Sequence, residues 1–187
     1  MRVLGISGSL RQGSLNSALL RTAAERLPAG AELVEFERLG DVLPYDEDVE
    51  LAGTPEAVGA LRKAVRGADA VLIATPEYNS SIPGQLKNAL DWVSRPAGKS
   101  ALNGKPAAVI GTSTGMFGAV WAQAELRKVL GAMGGRVIEA ELAVGHAKEL
   151  LADDRLELSP RQYEQLEEIL AELISQAEIE AELAVAA

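Results

Sequence analysis

The stretch Val3-Leu4-Gly5-Ile6-Ser7-Gly8-Ser9-Leu10-Arg11-Gln12-Gly13-Ser14-Leu15-Asn16-Ser17 decides how the rest of the chain is read. An apolar run stops in glycines, hydroxyls and one arginine, and an amphipathic helical pattern starts at Leu15. The pattern predicts a strand, a turn and a helix N-terminus. Glycines let the backbone approach a ligand closely. Free N–H groups and the positive end of the helix dipole favour an anion there. Ser9, Ser14, Asn16 and Ser17 carry hydrogen-bond donors, and Arg11 adds a planar, forked cation. A phosphate is the natural guest. The competing reading is a polar turn in which Ser14 is an N-cap and nothing binds.

The loop lacks the G-x-G-x-x-G spacing of dinucleotide-binding domains, because Gly5, Gly8 and Gly13 fall elsewhere. It also lacks the lysine that reaches the outer phosphates of a nucleoside triphosphate. Several hydroxyls, an amide and one arginine suit a terminal monophosphate.

Working outward, apolar runs and helical patterns alternate. Strands are predicted at Arg2–Ile6, Glu32–Arg38, Ala70–Thr75, Lys105–Thr112 and Arg136–Val144. Helices are predicted at Leu15–Leu27, Pro55–Arg66, Ile82–Ser94 and Ala119–Met133, and a last one opens at Ser159 with Leu166, Ile169, Leu170, Leu173 and Ile174 at helical spacing. This order implies right-handed crossovers and a parallel sheet covered on both faces. Strands one, three and four are apolar on both sides, as interior strands require. Strands two and five carry Glu35, Glu37 and Arg38, and Glu139 and Glu141, as edge strands do. The expected fold class is therefore α/β: a flavodoxin-like three-layer sandwich on a five-stranded parallel sheet in the order 2-1-3-4-5. The whole chain, 1–187, is read as one domain in which residues after about 145 form a C-terminal covering helix.

That strand order opens a crevice at the carboxyl ends of strands one and three. The three loops there are the three with unusual chemistry. After strand three comes Thr75-Pro76-Glu77-Tyr78-Asn79-Ser80-Ser81-Ile82-Pro83-Gly84, and after strand four Gly111-Thr112-Ser113-Thr114-Gly115-Met116-Phe117-Gly118. Tyr78 offers a ring to a planar heterocycle, and the backbone around Glu77 to Ser80 can meet its polar edge. Pro76 and Pro83 stiffen the loop, which lowers the ordering cost of binding. Small residues in the third loop let a flat ring sit close to backbone amides. A phosphate at one end and a flat heterocycle at the other describe flavin mononucleotide (FMN).

Composition narrows the function classes. Of 187 residues 48% are hydrophobic and 24% charged, ordinary for a globular protein. The net charge of −9 argues against a nucleic-acid partner. No apolar stretch is long enough to span a membrane. Zero cysteines exclude disulfides and thiolate chemistry and fit a cytoplasmic protein. His146 is the sole histidine, read as a surface or cap residue, and the acidic run Asp46–Glu50 is read as a solvated loop. Met116, Phe117 and Trp121 are read either as core or as a subunit contact.

The chain resembles the NADPH-dependent FMN reductase family, which includes soluble bacterial quinone and chromate reductases. The matching words are Gly8-Ser9-Leu10-Arg11 with Ser14 and Asn16, the run Pro76-Glu77-Tyr78-Asn79 through Pro83-Gly84-Gln85-Leu86-Lys87-Asn88-Ala89-Leu90-Asp91-Trp92, and Gly111–Gly118. The likeness spans residues 1 to about 145. It implies that Ser9, Arg11, Ser14 and Asn16, with Ser17 beside them, meet the FMN phosphate, and that Pro76, Glu77, Tyr78, Asn79 and Ser113 meet the ring. It further implies hydride transfer from NADPH or NADH to bound FMN, then electrons to a quinone-like acceptor, in a homodimer or homotetramer. No catalytic side chain and no metal ligand is nominated, since the cofactor carries the chemistry. An FMN-binding electron carrier or flavin sensor without turnover of its own would use the same loops. A nucleotide-binding or signalling domain without flavin is the third reading.

Overall fold

Alternation of buried side chains along each interior strand divides the hydrophobic core in two. The computed structural model describes residues 1–186. The strands are β1 (Arg2–Ser7), β2 (Glu32–Glu35), β3 (Ala70–Thr75) and β4 (Pro106–Thr112), with the short β5 (Arg136–Val137) and β6 (Ala143–Val144). The helices flanking them are α1 (Leu15–Ala24), α2 (Glu47–Ala52), α3 (Glu56–Arg66), α4 (Gly84–Val93), α5 (Val120–Ala132) and α6 (Pro160–Ala186). The sheet runs β2-β1-β3-β4-β5 and is parallel throughout, with β6 also on β4. Leu4, Ile6, Val71, Ile73 and Val109 face α3, α4 and α5. Val3, Leu72, Ala74, Ala108 and Ile110 face α1 and α6, where Leu166, Ile169, Leu170 and Leu173 are buried. Successive side chains of a strand point to opposite faces, so apolar residues at every position need helices on both sides. The sheet order and the three layers are as the sequence predicted.

The fifth strand is not continuous. The predicted run Arg136–Val144 pairs with β4 only at its two ends, Ala107 opposite Val137 and Gly111 opposite Ala143. Between those pairs β4 advances four residues and its partner six, so two residues bulge from the sheet edge. Glu139 and Ala140 point into solvent while Ile138 and Leu142 stay buried. Interruption of this kind is common on edge strands, where it limits pairing with other chains.

Two further elements depart from the sequence reading. The acidic run folds into α2, whose N-cap Asp46 accepts from the amide of Asp48. Beyond the sheet, Leu151–Ala152 (β7) and Arg155–Leu156 (β8) make an antiparallel hairpin ahead of α6. That hairpin docks on α1 through Thr22, whose hydroxyl accepts from the Leu156 amide at 2.9 Å.

Candidate functional site

The loops after β1, β3 and β4 meet at the carboxyl end of the sheet and are tied to one another. Gly8 is the first tie. Its amide donates to the Ala74 carbonyl at 2.8 Å, and a Cβ there would lie 3.0 Å from Leu86 and 3.1 Å from Pro76. A side chain there would push Leu86 and Pro76 back by a few tenths of an ångström, so glycine favours the close approach of the first and second loops. Asn16, on the first turn of α1 and buried, is the second tie. Its amide nitrogen donates to the Thr112 carbonyl and its oxygen accepts from the Thr112 amide, both at 3.2 Å. The third runs from Glu77 to the start of α5.

In the loop after β1, Ser14 is the N-cap of α1 and its buried hydroxyl accepts from the Ser17 amide at 3.2 Å. The Ser9 hydroxyl accepts from the Arg11 amide at 3.5 Å. Ser17 donates its hydroxyl to Glu35 at 2.9 Å. The amides of Gln12, Gly13 and Ser14 and the exposed guanidinium of Arg11 have no partner among the described residues. A crevice of about 490 Å³ opens beside them, with Ser9, Arg11, Gln12, Ser17 and Glu35 on its walls. Unpaired N–H groups at a helix N-terminus beside an unpaired guanidinium are a donor set for an anion.

In the loop after β3, Pro76 is buried, and Tyr78, Asn79 and Ser80 are exposed. Tyr78 and Ser81 exchange both backbone hydrogen bonds, at 3.0 and 3.2 Å, closing a two-residue turn. Asn79 and Ser80 sit at φ 54° and 60°, the left-handed conformation a type I′ turn demands at both central positions. Asn79 tolerates this conformation, whereas Ser80 stands where such turns favour glycine, and the strain lies there.

The loop after β4 is held by a strap, residues 143–147. Ser113 donates its amide to Val144 and accepts from the Ala147 amide at its carbonyl; Gly115 accepts from the amide of His146. The Ser113 hydroxyl donates to the Gly115 carbonyl at 3.2 Å. A Cβ at Gly118 would come within 2.5 Å of Ala143 and Val144, and one at Gly145 would strike the Met116 carbonyl. The amides of Thr114 to Phe117 face no protein acceptor among the described residues.

The structure therefore brings all ten residues singled out in the sequence to one end of the sheet. Arg11, Ser9, Tyr78 and Asn79 are left open to a ligand. Asn16, Ser17 and Glu77 instead have protein partners: Thr112, Glu35 and α5. The strap and Thr112 were missed from sequence, because each acts through a contact distant along the chain. Met116, Phe117 and Trp121 are exposed, not core, and Phe117 and Trp121 stack edge to face at 5.0 Å. Larger hollows lie elsewhere, such as one of about 610 Å³ beside Tyr45, Arg62 and Arg95. They touch none of the three loops. Among the described residues no cluster of His, Asp or Glu is placed to hold a metal, and no helix is long and apolar enough to cross a membrane.

A group with a phosphate at one end and a flat heterocycle at the other fits these donors. The free amides and Arg11 suit the phosphate, and the amides of Thr114 to Phe117 with Tyr78 suit a ring whose edge carries acceptors. Known proteins agree in kind. An NAD(P)H-dependent FMN reductase of Pseudomonas aeruginosa is 50% identical over 130 residues, 70% of this chain and 69% of that protein. A quinone reductase of Escherichia coli is 42% identical over 131 residues, 70% of this chain and 69% of that one. Among solved structures, a flavoenzyme NAD(P)H:(acceptor) oxidoreductase of Paracoccus denitrificans superposes with a TM-score of 0.82 at 35% identity, covering 95% of this chain and 97% of that one. A flavodoxin from Pseudomonas aeruginosa shares the fold at a TM-score of 0.55 and 20% identity, covering 95% of this chain and 99% of that one. The model of one family, described as NADPH-dependent FMN reductase, matches residues 1–149, and the chain belongs to that family.

Proposed function

We propose that the chain is an NAD(P)H:quinone oxidoreductase that holds FMN across the three loops. FMN, when bound, supplies the two-electron chemistry, taking hydride from the reduced nicotinamide and giving electrons to the acceptor. The protein's part is to bind, orient and exclude water. Arg11, the Ser9 hydroxyl and the amides of Gln12, Gly13 and Ser14 take the phosphate. Asn16 acts one step back, fixing the first loop against Thr112. Pro76, Tyr78 and Asn79 wall the ring, and the amides of Thr114 to Phe117 meet its polar edge, with Ser113 shaping their turn. The observation that carries this reading is the set of unpartnered donors at the start of α1, beside loops already tied in place.

A quinone acceptor follows from the quinone reductases of Escherichia coli and Pseudomonas putida among the relatives. A second copy of the chain is the proposed partner over the exposed aromatic surface of Tyr78, Phe117 and Trp121, giving a homodimer as the basic unit. Titration of the purified chain with FMN, followed by quenching of flavin fluorescence, tests the binding reading. Saturable quenching with one FMN per chain is expected. Fluorescence unchanged through excess protein would reject it.

A further inference from the structure

Helix α5 begins without a cap of its own. Its first residue, Val120, follows Ala119, which sits at φ 64° and has no side-chain acceptor. A helix start leaves four N–H groups unpaired, and burial of that end without partners is costly. Glu77, 44 residues earlier on the second loop, supplies the missing acceptor. One oxygen of its carboxylate takes the amides of both Trp121, at 3.0 Å, and Ala122, at 3.1 Å. A carboxylate at a helix N-terminus adds charge assistance and complements the dipole.

The tie is returned from the other side. Glu125, one turn into α5, accepts from the amide of Ile82 at 3.4 Å. Glu77 immediately precedes the Tyr78–Ser81 hairpin and Ile82 immediately follows it, so two carboxylates bracket the hairpin on one helix end. The bracketed residues include the two left-handed, non-glycine positions, Asn79 and Ser80. Strained backbone persists only where its surroundings over-determine it. The bracket provides that, and it holds Tyr78 on one side and the stacked Phe117–Trp121 pair on the other as one body.

We infer that Glu77, with Glu125 behind it, is a positioning residue that locks the loop after β3 onto the start of α5, and so sets affinity for the ring of the flavin but not for its phosphate. The ring role rests on the FMN reading above; the lock itself does not. A lock made before binding lowers the ordering cost that the ring's affinity must otherwise offset.

The test compares wild type, Glu77→Ala, Glu77→Gln, Glu125→Gln and Arg11→Ala without bound flavin. Hydrogen exchange reads the amides of Trp121 and Ala122, and titrations read FMN and riboflavin, which lacks the phosphate. In Glu77→Ala the two amides should exchange at least about tenfold faster. FMN and riboflavin should both bind about tenfold more weakly, by the same factor. Glu77→Gln keeps an acceptor and should recover part of both effects, and Glu125→Gln should show a smaller loss for both flavins. Arg11→Ala should lose affinity for FMN alone. Exchange at the wild-type rate in Glu77→Ala overturns the lock, and a loss confined to FMN overturns the ring role. A wild type that binds neither flavin overturns the FMN reading and the ring role, while exchange still judges the lock.

Discussion

The loops after β1 and β4 border the same end of the sheet but are built in opposite ways. Both leave amides free among the described residues, but the first adds the unpaired guanidinium of Arg11 and stays open, so that a Cβ at Gly13 would meet nothing within 4 Å. The second is packed from behind, with the strap 143–147 filling the space a Cβ at Gly118 would need. Open donors suit an anion, which is recognised by charge and tolerates some latitude. Packed backbone suits a flat ring, which is recognised by shape and needs walls that do not move. One loop grips; the other shapes.

Substitutions can break this contrast, starting with the largest effect. Gly118→Ala combines a left-handed φ of 57° with a backbone collision at 2.5 Å. A loss of about 3 kcal/mol or more in urea unfolding is expected. Gly13→Ala, left-handed at φ 66° but in open space, should lose only about 1–2 kcal/mol. Equal losses at the two glycines would erase the distinction.

Asn16→Ala removes both bonds to Thr112 and leaves that buried amide and carbonyl unpaired. Stability should fall by about 2–3 kcal/mol in the same assay. Arg11→Ala should behave in the opposite way. Its guanidinium has no hydrogen-bond or ion-pair partner among the described residues, so melting should be unchanged while FMN binding weakens by about 1.5–3 kcal/mol, read by titration. That loss should shrink as salt is added, since the contact is exposed.

A control remote from both loops has the smallest effect. The Tyr45 hydroxyl donates to Glu50 at 2.9 Å, and this bond holds its pKa above the usual 10.0. The stabilisation is fully present below the unfolded pKa and is lost as pH rises through the higher folded one. Tyr45→Phe should flatten the loss of stability in the alkaline range above pH 10 and leave FMN affinity as it was.

Much of the fold was legible because burial writes itself into composition. Val71-Leu72-Ile73-Ala74 and Ala107-Ala108-Val109-Ile110 admit no polar residue, and that alone placed β3 and β4 inside the sheet. The break in the fifth strand was not legible. Ile138-Glu139-Ala140-Glu141-Leu142 alternates apolar and charged residues as a half-exposed edge strand does, and a two-residue surplus against β4 exists only once the strands are paired. Residues of the site divide along the same line. Glycines, hydroxyls and one arginine after an apolar run mark the first loop locally. The partners of Asn16 and Glu77 lie 96 and 44 residues away, so their roles depend on the tertiary structure. No local signal marked the remote cap, because a helix read as starting at Ala119 has Gly118, an acceptable N-cap residue, before it.

The most direct measurement is the absorbance of the chain after loading with FMN and desalting, followed anaerobically through addition of NADPH or NADH and then benzoquinone. Flavin bands that survive desalting, bleach with the nicotinamide alone and return with the quinone are expected of an NAD(P)H:quinone oxidoreductase holding FMN on these loops. Bands that survive but do not bleach with either nicotinamide would make the chain a carrier, and a colourless protein that leaves added FMN unquenched would contradict the flavin site itself.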